Sequence, residues 1–294
     1  MSGLLKSEDI MKSIKRLVCI VLCALIVVSS FSFSVSATDN YKPLNYLVIG
    51  DSIAKGFGLK NPEEASYGKI VANTNGYNYI NHGFPGCTSE DLLDLVQNNE
   101  VYREDIEWAD IISISVGGND YLLDNALLLI LEGLFFNNGP HFQKIGNNYY
   151  INFGKIIDEI HALNPDAVIL VQTLYNAWRS PVTSRIFSQA ASFVNNAIFA
   201  VYEEKGGFYI VDMVPVFDGS KGLVTSDTIH PTFKANVLMA RKVLEKINEI
   251  GLSENTEPVI LVEGEDREYL NEYFPFPIGQ ILGFAARLAT GNLF

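Results

Sequence analysis

From residue 45 onward, short apolar runs alternate with longer segments whose apolar residues recur every three or four positions, and few folds accept that grammar. Brief runs bounded by turn residues read as strands buried on both faces, and the longer segments read as amphipathic helices. Strands are expected at 46–49, 77–81, 111–116, 167–173 and 208–211, and helices at 63–73, 91–98, 153–163, 184–204 and 233–250. Strand–helix alternation of this kind predicts an α/β fold: a three-layer α/β/α sandwich around a central five-stranded parallel sheet. In such sheets ligands bind beyond the carboxyl ends of the strands, so the residues following each strand are the place to look for chemistry.

Two stretches depart from the alternation. Residues 122–150 carry Leu127-Leu128-Leu129-Ile130-Leu131 and Leu134-Phe135-Phe136, then Asn137-Asn138-Gly139-Pro140, and read as a helix followed by a long loop. The apolar part reads first as core and second as a lining or cover for a site. Residues 251–294 form a tail with Pro258, Pro275, Pro277 and an apolar end at 278–288. The organisation expected is a leader at 1–37, a catalytic domain at 38–250 with an insertion at 122–150, and an extension at 251–294.

The leader reads as an export signal. Lys12, Lys15 and Arg16 precede the apolar run 17–28, and Ser34-Val35-Ser36-Ala37 offers a small-residue cleavage site. The unbroken apolar run is 12 residues, against the ~20 a helix needs to cross a bilayer, so cleavage is expected over anchoring. Met11 begins a better signal than Met1, because Glu8 and Asp9 precede the basic region. Cleavage after Ala37 leaves 17 basic and 32 acidic residues, a net charge of −15 against −13 for the whole chain. A surplus of that size repels phosphate backbones, so nucleic acid is not an expected partner. Beyond the leader Cys87 stands alone, which excludes a disulfide scaffold and predicts a small buried thiol. Secretion from a bacterial cell is the expectation, with no obligate protein partner.

The first expected strand runs straight into Gly50-Asp51-Ser52, which places a hydroxyl at a strand's carboxyl end. Serine is a poor nucleophile until an imidazole takes its proton, and that imidazole needs a carboxylate to fix its tautomer. Of His82, His141, His161 and His230, His230 alone has an aspartate three positions earlier, in Asp227-Thr228-Ile229-His230-Pro231. Acyl transfer also needs donors fixed where the oxyanion develops. Two further strand ends offer them: Asn81-His82-Gly83-Phe84-Pro85-Gly86-Cys87-Thr88-Ser89 and Gly117-Gly118-Asn119-Asp120.

Each motif alone matches ordinary turn and cap composition, since Asp, Ser and Gly favour such positions. Their joint occurrence at successive strand ends does not. With these residues the chain resembles the GDSL family, or SGNH hydrolases: Gly50-Asp51-Ser52-Ile53 is similar to its first block with Ile for the usual Leu. The stretches starting at Asn81, Gly117 and Asp227 are similar to the other blocks in the family's order. The resemblance spans 45 to about 250. It implies a flavodoxin-like SGNH hydrolase fold, Ser52 as nucleophile, His230 as general base and Asp227 as its orienting carboxylate. It further implies an oxyanion hole from the Ser52 amide, the Gly86 amide and the Asn119 side chain; Gly86 is preferred to Gly83 for its place ahead of Cys87-Thr88-Ser89.

No Gly-x-Ser-x-Gly elbow, phosphate loop, dinucleotide glycine set or metal-spaced histidine pair competes, so no cofactor and no metal are expected. Asp51, Tyr175 and Trp178 are candidates for substrate contact, with Arg179 beside them. The substrates expected are small esters, first short-chain acyl groups or acylated carbohydrates, then lipid esters as for a lipase or phospholipase. A surface-binding module without catalysis is the alternative from another class, and it has no need of Ser52, Asp227 and His230 together.

Overall fold

The computed structural model describes residues 42–267 except 125, 137, 138, 178–180, 219, 220 and 228; the expected leader and the end of the tail fall outside that range. Five strands form one parallel sheet: β1 (Asn45–Gly50), β2 (Asn78–Asn81), β3 (Ile111–Ser115), β4 (Val168–Gln172) and β5 (Phe208–Val211). Their spatial order is β2-β1-β3-β4-β5. The chain leaves β1 toward one side and returns to the other at β3, and the crevice beyond the ends of β1 and β3 is where such sheets bind ligands. All four pairings are parallel, with Tyr46 opposite Ile111 and Gly50 opposite Ser115 in the central pair.

Alternate residues of the strands feed two cores, as a period of two requires. Leu47, Ile49, Ile112, Ile114, Ile169 and Val171 face the helices α4 (Ser89–Asn98), α5 (Glu100–Trp108), α8 (Pro140–Leu163) and α9 (Pro181–Lys205). Tyr46, Val48, Ile111 and Leu170 face α1 (Ser52–Lys55), α3 (Tyr67–Asn75) and α11 (Phe233–Glu249). Each such aliphatic side chain contributes about 1.5–3 kcal/mol on leaving water. Ser113 is a polar member of the second face, and the Tyr46 hydroxyl donates to its Oγ at 2.9 Å. The remaining elements are α2 (Pro62–Ala65), α6 (Gly118–Leu122), α7 (Ala126–Phe135) and α10 (Val214–Phe217). No helix among the described residues is long and apolar enough to cross a membrane.

The helix expected at 63–73 is broken at Ser66, whose backbone is extended. Asn236 of α11 explains the break, because its Oδ1 accepts the Tyr67 amide at 3.0 Å and replaces the missing intrahelical partner. The long loop expected before 150 is instead the first half of α8, a helix of 24 residues. Gly139-Pro140 starts that helix rather than ending one, since proline's fixed φ suits a first turn. Glu132 of α7 accepts the His141 amide at 2.9 Å, and so caps α8 from a neighbouring helix. The helix α5 was not expected; only Tyr102 and Ile106 are buried along it, too few for a periodic signal.

The tail does not hang free over its described part. The Ser253 hydroxyl donates to Asn75 Oδ1 at 2.8 Å, the Val259 amide to Thr74 Oγ1 at 2.9 Å, and the Lys60 amide to the Glu265 carbonyl at 2.8 Å. Residues 251–267 thus form a strap along the end of α3 and back to the turn after α1.

Candidate active site

At the end of β1 the backbone turns sharply at Gly50, with φ of +127°. A Cβ there would lie 1.9 Å from the Ser115 carbonyl oxygen, so only glycine lets β1 close against β3. The Asp51 amide donates to that same carbonyl at 2.9 Å, and the Asp51 carboxyl accepts the Ile53 amide at 2.9 Å as the cap of α1. Ser52 therefore enters the first turn of α1 with its position fixed on both sides.

His230 arrives on a loop that is closed on itself. Val224 bridges Pro231, and the Thr225 amide donates to the His230 carbonyl at 2.8 Å. Inside that loop one Asp227 oxygen accepts the Thr225 hydroxyl at 2.7 Å and the amides of Ile229 and His230 at 3.0 Å each. The other Asp227 oxygen bonds His230 Nδ1, and His230 Nε2 lies 2.7 Å from Ser52 Oγ. The imidazole is fully buried.

Burial pushes the Asp227 carboxyl up, but the bond and charge of His230 and the two loop amides outweigh it, and the net shift is downward. An ionised carboxylate only accepts, so Nδ1 carries the imidazole proton and Nε2 presents its lone pair to the Ser52 hydroxyl. The arrangement can take a proton from the serine oxygen. Asp51 behaves oppositely. Burial, reinforced by the Asp120 charge, pushes its carboxyl up to about 7 against the amides of Ile53 and Ala54.

The two loops that carry Gly86 and Asn119 are held together. Asn119 Nδ2 donates to the Cys87 carbonyl at 2.9 Å, and Asp120 accepts the Ser89 amide at 3.0 Å and its hydroxyl at 2.5 Å. Gly83 and Gly86 separate here. The Gly83 amide is spent on Asn81 Oδ1 at 2.8 Å, and a Cβ on Gly83 would meet the Lys55 amide at 2.4 Å, so it is a packing glycine. Gly86 has φ of +90° with open space where a Cβ would stand, and its amide meets no acceptor among the described residues. Cys87, next to Gly86, is buried in the core, its thiol pushed up by burial.

The expected substrate contacts fare differently. Tyr175 is buried: its ring stacks on Phe217, with centroids 3.6 Å apart, and its hydroxyl donates to the Ile229 carbonyl at 2.9 Å. It supports the His230 loop. Asp51 is turned inward as a helix cap, and Trp178 and Arg179 lie outside the described residues. The other three histidines stand elsewhere: His82 bonds Asp105, His141 bonds Asp124 at 3.1 Å, and His161 bonds the Gly207 carbonyl at 3.0 Å. No group of three or more metal-ligating side chains occurs among the described residues. Phe57 was not singled out from the sequence, yet its ring lies 5.0 Å from the His230 ring. Its spacing from both motifs carries no signal.

Beside these loops a cavity of about 510 Å³ is lined by Thr88, Glu90, Asp120, Asn148, Asn152 and Lys155 among others.

The profile of the GDSL-like lipase/acylhydrolase family matches residues 48–236, a span that holds Ser52, Gly86, Asn119, Asp227 and His230. Protein YpmR of Bacillus subtilis (strain 168), itself uncharacterized, is 26% identical over 218 residues, 69% of this chain and 81% of YpmR. Among solved structures, the lipase Lip_vut3 from a goat rumen metagenome is similar at a TM-score of 0.57 and 19% identity, covering 72% of this chain and 99% of its own. An extracellular lipase from Streptomyces rimosus follows at 0.54 and 18%, covering 69% and 99%. The acetylxylan esterase Axe2 from Geobacillus stearothermophilus gives 0.50 and 19%, covering 71% and 95%. At these identities the structural likenesses speak for a shared fold.

Proposed function

Because this chain belongs to the GDSL-like lipase/acylhydrolase family, we propose that it hydrolyses carboxylic esters through an acyl-serine intermediate. The observation that carries the reading is the file of three buried groups, Asp227, His230 and Ser52, with Nε2 2.7 Å from the serine oxygen. In this reading Ser52 Oγ attacks the acyl carbon as its proton passes to His230 Nε2. The tetrahedral oxyanion is held by the Ser52 and Gly86 amides and the second amide proton of Asn119. His230 returns the proton to the departing alkoxide, and the acyl group stays on Ser52. Water then attacks the acyl-enzyme with His230 as base, and the carboxylic acid leaves.

A short acyl group on a polar alcohol, such as an acetylated sugar, is the favoured substrate. The cavity that Asp120 lines, next in sequence to Asn119, supports this, since Glu90, Asn148, Asn152 and Lys155 outnumber its apolar residues Leu93, Ile145 and Ile151 and suit hydroxyls better than an alkyl chain. One observation favours lipid esters instead: Leu123, Leu128, Leu131, Phe135 and Phe136 are exposed along the segment that follows Asn119. The chain is further proposed to be exported and cut after Ala37, on the order of basic, apolar and small residues in its first 37.

The deciding experiment treats the protein with a serine-directed fluorophosphonate and assays acetyl, butyryl and long-chain esters alongside acetylated xylan. Labelling at Ser52 that vanishes in Ser52→Ala, with turnover highest on acetyl substrates, is the expected result. Turnover that survives Ser52→Ala ends the acyl-serine reading, and a maximum on long-chain esters selects the lipid alternative. Mass spectrometry of protein recovered from the medium checks export, with Thr38 expected at its amino terminus.

A further inference from the structure

The strap 251–267 lies beyond the residues the family profile matches, yet it ends against the back of the catalytic histidine's support. Asp266 bridges Leu59 in antiparallel fashion, and the Arg267 amide donates to the Gly58 carbonyl at 2.9 Å. Arg267 Nε donates to the Leu59 carbonyl at 2.7 Å, which leaves its guanidinium 4.5 Å from the centre of the Phe57 ring. The Phe57 ring in turn packs on the His230 imidazole, and the Phe57 amide donates to the Ser52 carbonyl at 3.0 Å. The same turn touches the histidine from its backbone side: a Cβ on Gly58 would lie 2.2 Å from the Pro231 carbonyl oxygen and 3.2 Å from His230 Cβ. Asp266 also accepts the Phe233 amide at 2.7 Å, and so fixes the start of the helix that follows His230. A cation over the face of an aromatic ring holds that ring in place, the more so where water is partly excluded.

We infer that Arg267, at the end of the strap, is a positioning residue that keeps Phe57 against the His230 imidazole and so keeps Nε2 aligned with the Ser52 hydroxyl. The inference rests on the esterase reading for its kinetic consequence alone. Phe57 is joined to both catalytic motifs, to Ser52 by its amide and to His230 by its ring. The strap fastens it from outside. A base that must meet a hydroxyl at hydrogen-bond distance is sensitive to small displacements: about 1 Å of misplacement costs up to roughly 10²-fold in rate. Positioning acts on the chemical step, so it shows in kcat and in serine reactivity, whereas substrate affinity is untouched.

The test uses the full chain with Arg267→Met, which keeps an apolar stem without the cation, Arg267→Lys, which keeps the cation, Phe57→Leu, and the Phe57→Leu/Arg267→Met double variant. Three quantities are measured: kcat and KM on a soluble acetyl ester, the rate of fluorophosphonate labelling at Ser52, and the low-field proton resonance of His230 Nδ1. Expected for Arg267→Met are a kcat and a labelling rate lower by roughly tenfold or more, KM within about twofold, and a broadened Nδ1 resonance. Arg267→Lys should restore most of the rate. In the double variant Arg267→Met should add little to Phe57→Leu, because the two act through one contact.

Wild-type kcat and labelling in Arg267→Met overturn the inference, as do losses that multiply in the double variant. An equal loss in Arg267→Lys and Arg267→Met, tracking a loss of fold at the assay temperature, overturns it too, since the strap is then only a stability element. A wild-type protein with neither turnover nor labelling would remove the esterase reading instead, and the Nδ1 resonance would still decide whether Arg267 orders the imidazole.

Discussion

Of the three aspartate–histidine pairs among the described residues, two make the sharpest contrast, because the same two side-chain types sit in different surroundings. Asp227 and His230 are buried, with side chains 6% and 1% exposed, and the second imidazole nitrogen meets a serine hydroxyl. Asp105 and His82 bond at the surface, 21% and 22% exposed, with His82 stacked on Tyr102. An imidazole becomes a useful base when its other nitrogen is held by a carboxylate and a proton donor stands in line with it; the pair alone supplies only the first condition. Ser52 supplies the second at His230, and burial strengthens both, because charge separated in a water-poor site is screened less. The surface pair is an ordinary contact between a loop and α5.

The sharpest way to break that contrast is to remove the imidazole. His230→Gln should lower kcat/KM by a factor on the order of 10⁴ to 10⁶, and the double variant with Ser52→Ala should be no worse than either single one, because members of such a set act as a unit. Losses that multiply would show that the two residues do not share a step. Next, the carboxylates can be exchanged for amides at both pairs. Asp227→Asn can still accept the loop amides through its oxygen, but it no longer fixes the tautomer, and kcat should fall by about 10⁴. Asp105→Asn should leave kcat/KM within about twofold, as expected of a surface pair. A comparable loss at both positions would end the distinction.

A third prediction concerns the donors. Asn119→Ala removes a side-chain donor and the tie to the Cys87 carbonyl, so kcat should fall by about 10² to 10³ with KM little changed. A rise in KM with kcat intact would make Asn119 a ground-state contact instead.

What the sequence disclosed and what it hid follow one physical rule. Ser52, Asn119 and the Asp227–His230 spacing stand at strand ends or within one turn, so local pattern suffices to find them. The strand positions were legible for the same reason: runs such as 46–49 and 111–114 are buried on both faces. The burial of Tyr175 is not legible locally, because an aromatic after a strand reads the same whether it faces solvent or, as here, Phe217 and the Ile229 carbonyl. The early start of α8 was missed because Gly139-Pro140 is both a stop and a start signal, and the deciding cap, Glu132, comes from another helix. Arg267 and Leu59 are 208 positions apart, and no periodicity predicts a contact made by a tail across that distance.

The smallest effect expected comes from a second contrast, between the two aspartates nearest the serine. The Asp51 carboxyl rises to about 7 chiefly through burial, while an unfolded chain would hold it near 3.9. Between those values the folded protein keeps a proton that the unfolded chain has released, so folding stability falls as pH rises, by at most about 1.4 kcal/mol per pH unit from this group. Its contribution is whole below pH ~4 and gone above ~7. Asp227 is shifted down, so its contribution is whole above the ordinary carboxylate range and is lost only as pH falls below it. Asn at position 51 can still cap α1 through the Ile53 amide, which leaves the charge as the principal change. Urea midpoints between pH 4.5 and 6.5 should therefore decline with pH more steeply in the wild type than in Asp51→Asn. Parallel slopes would mean that Asp51 is ionised across this range, and that the polar groups around it compensate for its burial.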